Sequence, residues 1–175
     1  PQCRFPARFF WLKQHTLKLQ QAPNVACPQY QAWLNRITPK TISVIFPEPF
    51  MGSLSSLFGH IFFRVNSKQN TKQTRYLDYT VGYAAEIPPQ GKEWLYIWKA
   101  LTGGYPGYLT GAPYYEKIIR YNDIESRDIW EYELNLTQEE TEQLVRHIWE
   151  MRQKKFDYFF FDENCAYRLL DMLKV

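Results

Sequence analysis

The sequence lacks the short motifs by which many enzyme classes are recognised. Its three histidines and three cysteines show no close spacing such as CxxC or HxxxH, so we expect no bound metal. It contains neither GxSxG nor a phosphate-binding glycine loop. These absences argue against a zinc domain, a serine hydrolase with a nucleophile elbow and a P-loop nucleotidase. We expect no cofactor.

Charge and hydropathy exclude two further classes. The net charge is +3, from 21 Lys plus Arg and 18 Asp plus Glu, and no block of basic residues indicates a nucleic-acid partner. No run of ~18 apolar residues is long enough to span a bilayer, and no signal peptide pattern is present. The chain begins at Pro1 and stops inside an amphipathic pattern, so we expect a piece of a longer protein. Any peripheral membrane association would come from the flanking segments.

Hydrophobic and aromatic residues are abundant instead. They make up 45% and 18% of the 175 residues, which is typical of a folded chain with a sizeable core. The length favours one domain over residues 1–175. Apolar residues at helical spacing predict a helical arm over residues 1–36, interrupted by prolines, and a core domain over residues 37–175.

The three cysteines form an odd set, so at most two of them pair within the chain. Cys3 and Cys27 bracket the first part of the arm. A disulfide between them would close a loop of about 25 residues, stabilise the arm by on the order of 3 kcal/mol and indicate an oxidising compartment. The alternative is two reduced, buried cysteines, and spacing alone does not decide between the two.

The remaining pattern predicts an α+β domain. We expect strands, a hairpin among them, a short helix and an aromatic loop that forms a lid or site wall. The strands are TISVIF, HIFFRV, RYLDYTVGYAA, KIIRY and DIWEYELNL; PEPFMGSLSSLFG is a loop before HIFFRV, the short helix is KEWLYIWKAL, and the aromatic loop is GGYPGYLTGAPYY.

Capping signals predict two helices near the C-terminus. Thr137 and Glu140 form a capping box before a helix that should run to about Lys155. Asp162 or Asn164 should cap the last helix. The residues expected on the buried faces of these helices are Leu144, Val145, Ile148, Trp149, Leu169, Leu170 and Leu173.

Cys165 lies in the first turn of that last helix, a position that can make a thiol reactive. Unpaired backbone N–H groups and the helix dipole stabilise a thiolate, and the same amides can receive an oxyanion. Asn164 beside it is a candidate helper in that role. The alternative is a cysteine that packs as a small hydrophobic residue.

A nucleophilic cysteine needs a base, and His60 is the candidate. It stands at the head of the apolar strand HIFFRV, where a rigid sheet can present a side chain to substrate. His15 is expected to be a solvated helix residue and His147 a structural one. If the hairpin pairs Val65 with Arg75, Asp78 and Thr80 lie on the same face as His60, and either could orient its imidazole.

Two other groups of residues have both a functional and a structural interpretation. The alternating charges of Glu125, Arg127, Asp128 and Glu131 are more typical of a salt-bridged surface than of carboxylate chemistry. Four tyrosines of the aromatic loop would line an amphipathic groove for a lipid or peptide, or would simply pack in the core. They are Tyr105, Tyr108, Tyr114 and Tyr115.

Several long segments together resemble the Lnb N-terminal periplasmic domain family. They are PFMGSLSSLFGHIFFRV, YLDYTVGYAAE, YYEKIIRYNDIESRDIWEYELNLTQEE and FFFDENCAYRLL, with CRFPARFFWL and CPQYQAWL in the arm. The resemblance implies a circularly permuted papain-like or NlpC-like fold, a location in the bacterial periplasm or envelope, and thiol chemistry by His60 of FGH and Cys165 of NC. It also implies acyl transfer, with a diacylated lipoprotein as one acyl donor.

The combined expectation is a thiol-dependent acyltransferase or hydrolase of the bacterial cell envelope. Its substrate would be a lipoprotein, a lipid acyl ester or a peptide. One alternative is a cysteine peptidase or amidase that acts on envelope peptides with the same residues. The other is a periplasmic interaction module that has kept the fold without the activity.

Overall fold

A six-stranded antiparallel sheet lies at the centre of the protein. The computed structural model describes residues 1–50, 60–86, 98–99, 101–159 and 161–174. The strands follow one another across the sheet in the order β5-β1-β2-β3-β4-β6. Their bounds are β1 Pro39–Pro47, β2 Phe62–Ser67, β3 Tyr79–Ala85, β4 Tyr105–Pro113, β5 Ile129–Glu133 and β6 Lys155–Tyr158.

Helices surround this sheet, so the predicted α+β class is confirmed. They are α1 Pro6–His15, α2 Leu17–Gln20, α3 Pro28–Ile37, α4 Tyr114–Ile118, α5 Gln138–Met151 and α6 Cys165–Leu173, with a 3₁₀ turn at Arg75–Leu77 and a π-helix at Ile119–Ile124. Within the described parts of the chain, none of the helices combines the length and apolar character that a bilayer crossing requires.

One face of the sheet, here the helix-packed face, buries the main core. Strand side chains alternate between faces, so Phe63 and Val65 of β2 point to the same side as Ile42 of β1. Helices α3, α5 and α6 cover them with apolar residues at helical spacing. Those residues are Trp33, Ile37, Leu144, Val145, Ile148, Trp149, Leu169 and Met172.

The opposite face, here the π-helix face, is smaller and more polar. Ile45 and Phe62 pack there against Tyr114 and Tyr121, which come from α4 and the π-helix. Beside this cluster the buried Arg64 forms ion pairs with Asp78, at 3.5 Å, and with Glu131. One face of the sheet therefore buries mainly apolar side chains, whereas the other also buries tyrosines and an ion-paired arginine.

The prediction of an aromatic loop over GGYPGYLTGAPYY is wrong for most of the segment, because β4 occupies it. Its glycines allow two tyrosine rings of β3 to cross the strand. A Cβ on Gly107 would lie 2.2 Å from the Tyr83 hydroxyl, and one on Gly111 would lie 1.8 Å from the Tyr79 hydroxyl. Glycine and proline in this segment thus reflect close packing within a sheet.

The predicted strand KIIRY is also wrong, because α4 and the π-helix occupy this segment. Tyr114, Ile118 and Tyr121 recur at intervals of four and three residues. That spacing places all three on the small cluster of the π-helix face. The helical period was present in the sequence but was obscured by the β-branched pair at positions 118–119.

The two C-terminal helices begin at their predicted caps but differ from the prediction in two ways. Thr137 and Glu140 form the capping box, but α5 ends at Met151, and the short edge strand β6 follows where the helix was expected to continue to about Lys155. In α6, Leu169 is buried and Leu173 is partly buried. Leu170 is 58% exposed, and Met172 takes the expected place in the core.

The N-terminal arm is helical, as predicted, and is fixed to the core. Cys3 and Cys27 form the disulfide. The Trp149 indole donates a hydrogen bond to the Cys3 carbonyl at 2.8 Å, and Arg8 forms an ion pair with the buried Glu150 at 3.2 Å. The third helix of the arm, α3, contributes to the main core and so belongs to it structurally.

The strands predicted in TISVIF, HIFFRV, RYLDYTVGYAA and DIWEYELNL are present as β1, β2, β3 and β5. Two further predictions fall mainly outside the described residues. These are the loop PEPFMGSLSSLFG, of which residues 51–59 are not described, and the helix KEWLYIWKAL, of which residues 92–97 and 100 are not described.

Candidate active site

Cys165 is the first residue of α6, as its neighbour Asn164 dictates. The Asn164 Oδ1 accepts hydrogen bonds from the amides of Ala166 at 3.0 Å and Tyr167 at 3.2 Å, which caps the helix. Leu169 and Met172 then anchor α6 against the sheet. The Cys165 side chain is buried as a result, with 9% of its surface exposed. It is the free cysteine of the chain.

The sulfur of Cys165 lies in an apolar site that contains several amide donors. Burial raises the pKa of the Cys165 thiol above its usual value. Hydrogen bonds from the backbone amides of Ile61, Ala166 and Cys165 itself oppose this increase without cancelling it. The net effect favours the thiol over the thiolate, opposite in direction to the effect expected from the helix N-terminus alone.

His60 precedes β2 and its imidazole lies over Gly82 of β3. A Cβ on Gly82 would lie at ordinary contact distance from the His60 Nε2, at 3.8 Å, and in a tighter contact with the Thr110 hydroxyl oxygen, at 3.3 Å. The ring centroids of Phe62 and Tyr121 are 6.2 and 6.1 Å away. The imidazole is thus held by a glycine below it and aromatic rings beside it.

The environment of His60 disfavours its protonated form. Burial and then the positive charges of Lys117, Arg127 and Arg120 lower the pKa of His60 to about 4. At neutral pH the ring is uncharged and carries a lone pair that can accept a proton. This is the protonation state of a general base.

The structure brings the segments of His60 and Cys165 together. The Cys165 sulfur faces the amide of Ile61, which directly follows His60. Tyr121 provides a second link, because its ring centroid is 6.1 Å from that of His60 and the charge of an ionised Cys165 is among the smaller causes that raise the pKa of Tyr121. Three chemically capable side chains therefore share the end of β2.

Tyr121 is the site residue that sequence reasoning missed. It lies in the π-helix, a rare conformation that often occurs at functional sites. Burial is the main reason that its pKa rises to about 12, so it stays a neutral phenol. The Arg127 guanidinium lies 4.8 Å from the centre of its ring and also pairs with Glu125 at 2.7 Å.

The predicted hairpin register was wrong by four residues, which keeps Thr80 on the same face as His60 but moves it away along the strand. Thr80 lies opposite Arg64, with which Asp78 forms an ion pair. Val65 lies opposite Tyr79 rather than Arg75, because the 3₁₀ turn delays the start of β3 by four residues. Asp78 accepts hydrogen bonds from the Ser67 amide and from Asn70. The Thr80 hydroxyl donates to the Ala112 carbonyl at 2.7 Å.

The hydrogen bonds of Asp78 and Thr80 therefore hold neighbouring segments of the sheet together. The same holds for the charged run before β5. Arg127 pairs with Glu125, and Glu131 binds Arg64 and, at 3.4 Å, Arg75. This salt-bridged arrangement is the one that the sequence favoured.

The structure does not bring the four tyrosines of the predicted groove together. Tyr105 and Tyr108 are three residues apart on β4, so they point to opposite faces of the sheet. Tyr105 and Tyr114 are buried, whereas Tyr115 is 40% exposed. Tyr114 packs against Phe62 and therefore lies close to the site, in its wall rather than at its surface.

The other two histidines lie elsewhere. His15 is exposed at the end of α1 and stacks on Trp11. His147 is partly buried on α5, where burial lowers its pKa and the Met172 carbonyl opposes that change. Both positions agree with the solvated and structural roles expected for them.

A cavity of about 850 Å³ lies at the arm, away from Cys165 and His60. It is lined by residues of α1, the disulfide segment and α3, among them Phe9, Phe10 and Tyr30. Arg146 at its wall stacks on Phe10 and pairs with Glu142 at 3.1 Å. Its polar groups thus have partners within the protein.

The fold and the site define an α+β domain in which a helix begins at a cysteine beside a strand-end histidine. A family model described as the Lnb N-terminal periplasmic domain matches residues 29–175, and the chain belongs to this family. Comparisons with curated proteins and with solved structures give no match. Family membership places the domain in the bacterial periplasm or envelope, in agreement with its disulfide.

Proposed function

We propose that the domain is a cysteine acyltransferase or hydrolase in which Cys165 attacks an ester or amide carbonyl and His60 accepts the thiol proton. One observation carries the proposal: the Cys165 sulfur, at the start of α6, faces the amide of the residue next to His60. The neutral state of His60 supports its role as the base. The periplasmic family supports the cell envelope as the setting.

Acylation of Cys165 would proceed from a neutral pair. The thiol proton passes to the free ring nitrogen of His60 while sulfur bonds to the carbonyl carbon and the carbonyl π electrons move to oxygen. The amides of Ile61 and Cys165, which already point at the sulfur, would receive that oxyanion. Collapse of the intermediate expels an alcohol or amine, which takes the proton from His60 and leaves a thioester on Cys165.

Deacylation would reverse these roles. An amine or a water molecule gives a proton to His60 and attacks the thioester carbon. The sulfur then leaves and regains the proton from the imidazole. An amine acceptor makes the domain a transferase and water makes it a hydrolase. In both cases His60 is neutral at the start of each step.

An acyl chain fits the surface beside the site better than a peptide does. Ile119 and Ile124 of the π-helix are 47% and 73% exposed, and Tyr115 of α4, four residues before Ile119, is 40% exposed. Exposed apolar side chains of this kind favour contact with a lipid or lipoprotein acyl ester. A peptidase or amidase with the same two residues is the runner-up activity.

A binding module without catalytic activity is the alternative of a different class. The observation in its favour is the burial of Cys165, which raises the thiol pKa as expected for a packed cysteine. In that case the exposed apolar residues of the π-helix would contact a partner protein. The two hypotheses differ in whether Cys165 becomes acylated.

The test is to trap the acyl-enzyme. The protein is mixed with p-nitrophenyl hexanoate, release of nitrophenol is followed, and the adduct is located by peptide mass spectrometry. We expect one equivalent of nitrophenol to be released rapidly and a hexanoyl group on Cys165. Cys165→Ala should remove both, and His60→Gln should slow acylation by roughly 10²- to 10⁴-fold, the usual contribution of a general base.

His147→Gln provides a matched control, because this histidine is also partly buried with a lowered pKa but lies on α5. It should acylate at the wild-type rate. Failure of Cys165 to become acylated, or equal rates in His60→Gln and His147→Gln, would contradict the proposed catalytic pair and favour the binding module.

A further inference from the structure

Lys117 places a positive charge beside the imidazole of His60. Its ammonium lies 5.7 Å from the centre of the Phe62 ring, and that ring is 6.2 Å from the His60 ring. Of the charges that act on His60, Lys117 has the largest effect. The Lys117 side chain is partly buried, and burial lowers its pKa. The ammonium is therefore separated from His60 by the Phe62 ring and is partly removed from water.

The charges near His60 are unbalanced. The charged groups that act on its protonation are all cations: Lys117, Arg127 and Arg120. Glu125 lies 2.7 Å from Arg127 and 3.9 Å from Arg120, so one carboxylate serves both arginines. Among the described residues, Lys117 has no ion pair of its own. Three cations thus face the shared carboxylate of Glu125 and the exposed carboxylate of Glu116, which is the one that acts on Lys117.

An unpaired and partly desolvated ammonium is costly unless another group supplies the opposite charge. The carboxylate that acts on Lys117 is that of Glu116, the adjacent residue of α4, and it opposes the lowering of the Lys117 pKa without cancelling it. Glu116 is exposed to solvent and forms no ion pair with Lys117 within the described part of the chain. The neighbouring surface carries the exposed apolar side chains of Ile119 and Ile124. Cation and apolar surface together match a molecule that has an anionic group next to an acyl chain.

We propose that Lys117, assisted by Arg120, binds an anionic oxygen group of the substrate, a phosphate or a carboxylate, beside the carbonyl that Cys165 attacks. This inference rests on the proposed function for the identity of the reacting carbonyl. It narrows the substrate to an acyl compound with a negative charge near the acyl bond. A glycerophosphate-based lipid and an acylated compound with a free carboxylate both have this chemistry.

The first test compares two alkylating reagents that differ in charge. Iodoacetamide is neutral and iodoacetate is an anion of similar size, so the ratio of their rates at Cys165 reports on positive potential at the sulfur. We expect Lys117→Gln to lower the iodoacetate rate relative to the iodoacetamide rate by about tenfold, since one nearby charge is lost. Any change in the reactivity of the thiol itself alters both rates alike and cancels in the ratio.

Lys40→Gln is the control with the same change in net charge. Lys40 is exposed at the far end of β1 from Ile45, the residue that lies opposite Phe62. Its substitution should leave the rate ratio at the wild-type value. Equal ratios in Lys117→Gln and Lys40→Gln would overturn the inference while leaving acylation of Cys165, and hence the proposed function, intact.

The second test does not use the thiol and so applies even if Cys165 is unreactive. Lysines are labelled by reductive ¹³C-methylation, which keeps their charge, and the signal absent from Lys117→Gln identifies Lys117. We expect sn-glycerol 3-phosphate, inorganic phosphate or N-acetyl-D-alanine to move this signal in a saturable manner. A response to the phosphates alone indicates a phosphate group, and one to N-acetyl-D-alanine alone indicates a carboxylate. A signal that none of the three moves would overturn the inference.

Discussion

The two faces of the sheet differ in the side chains that surround them. On the helix-packed face, Phe63 and Val65 contact a large apolar cluster built from three helices. On the π-helix face, the adjacent Phe62 shares its surroundings with a histidine, a lysine and a tyrosine. Of these two neighbouring phenylalanines, Phe63 therefore belongs to the main core and Phe62 to the candidate site.

The difference explains why the site is at the end of β2. The strand is fixed by the core on one face, which leaves the other face to present His60 beside Gly82. Helix α6 packs its apolar residues on the core face, and its first residue, Cys165, meets the start of the same strand. A rigid core therefore positions Cys165 and His60, the two groups of the proposed reaction.

Replacing the two phenylalanines separately should have the largest effect. Each is fully buried, so Phe63→Ala and Phe62→Ala should each lower the free energy of unfolding by about 3–5 kcal/mol. Only Phe62→Ala should also slow acylation of Cys165, because its ring holds His60. Urea denaturation and acylation rates of the folded fraction provide the measurements. Equal loss of acylation in both variants would remove the distinction between the faces.

The protonation of His60 should have the next largest effect. Its pKa is about 4 in the folded protein and 6.5 in the unfolded chain. The unfolded state therefore binds more protons between these values, and stability falls as the pH decreases from 6.5 to 4. The loss should approach ~3 kcal/mol, and His60→Gln should lack this contribution.

Urea denaturation at a series of pH values measures this loss. His147 also has a lowered pKa and contributes in the same direction, so His147→Gln is the comparison. A pH dependence that is unchanged in His60→Gln would show that the imidazole is not held in its neutral form on the π-helix face.

The smallest effect concerns the two helix caps. Thr137 and Asn164 both cap helices, so Thr137→Ala and Asn164→Ala should each cost about 1 kcal/mol of stability. Only Asn164→Ala should also slow acylation, because Asn164 fixes the first turn that carries Cys165. Thermal unfolding and acyl-enzyme formation provide the comparison. Unchanged acylation in Asn164→Ala would mean that the cap does not position the thiol.

Local signals predicted the parts of the fold that have local causes. The capping box at Thr137, the cap at Asn164 and the β-branched strand ended by Pro47 were all recognisable from residue types alone. The position of Cys165 at the start of α6 followed from its cap. His60 was found because it precedes an apolar strand.

The remaining features depend on contacts that are distant in the sequence. Strand β4 was missed because the glycines that admit tyrosine rings from β3 look like loop residues. The hairpin register depended on how the Asp78 carboxylate orders the turn. Tyr121 and Lys117 lie in a segment that was predicted to be a strand, so their place beside His60 could not be inferred.

The most direct test of the central claim is the pH dependence of Cys165 acylation from pH 4 to 9, in the wild-type protein and in His60→Gln. If a neutral thiol reacts with a neutral imidazole, the wild-type rate should rise as His60 loses its proton near pH 4 and should then stay level to neutral pH. In His60→Gln the rate should be lower and should increase about tenfold per pH unit, as expected for a thiol that reacts only after ionisation. Identical profiles in the two proteins would contradict the account.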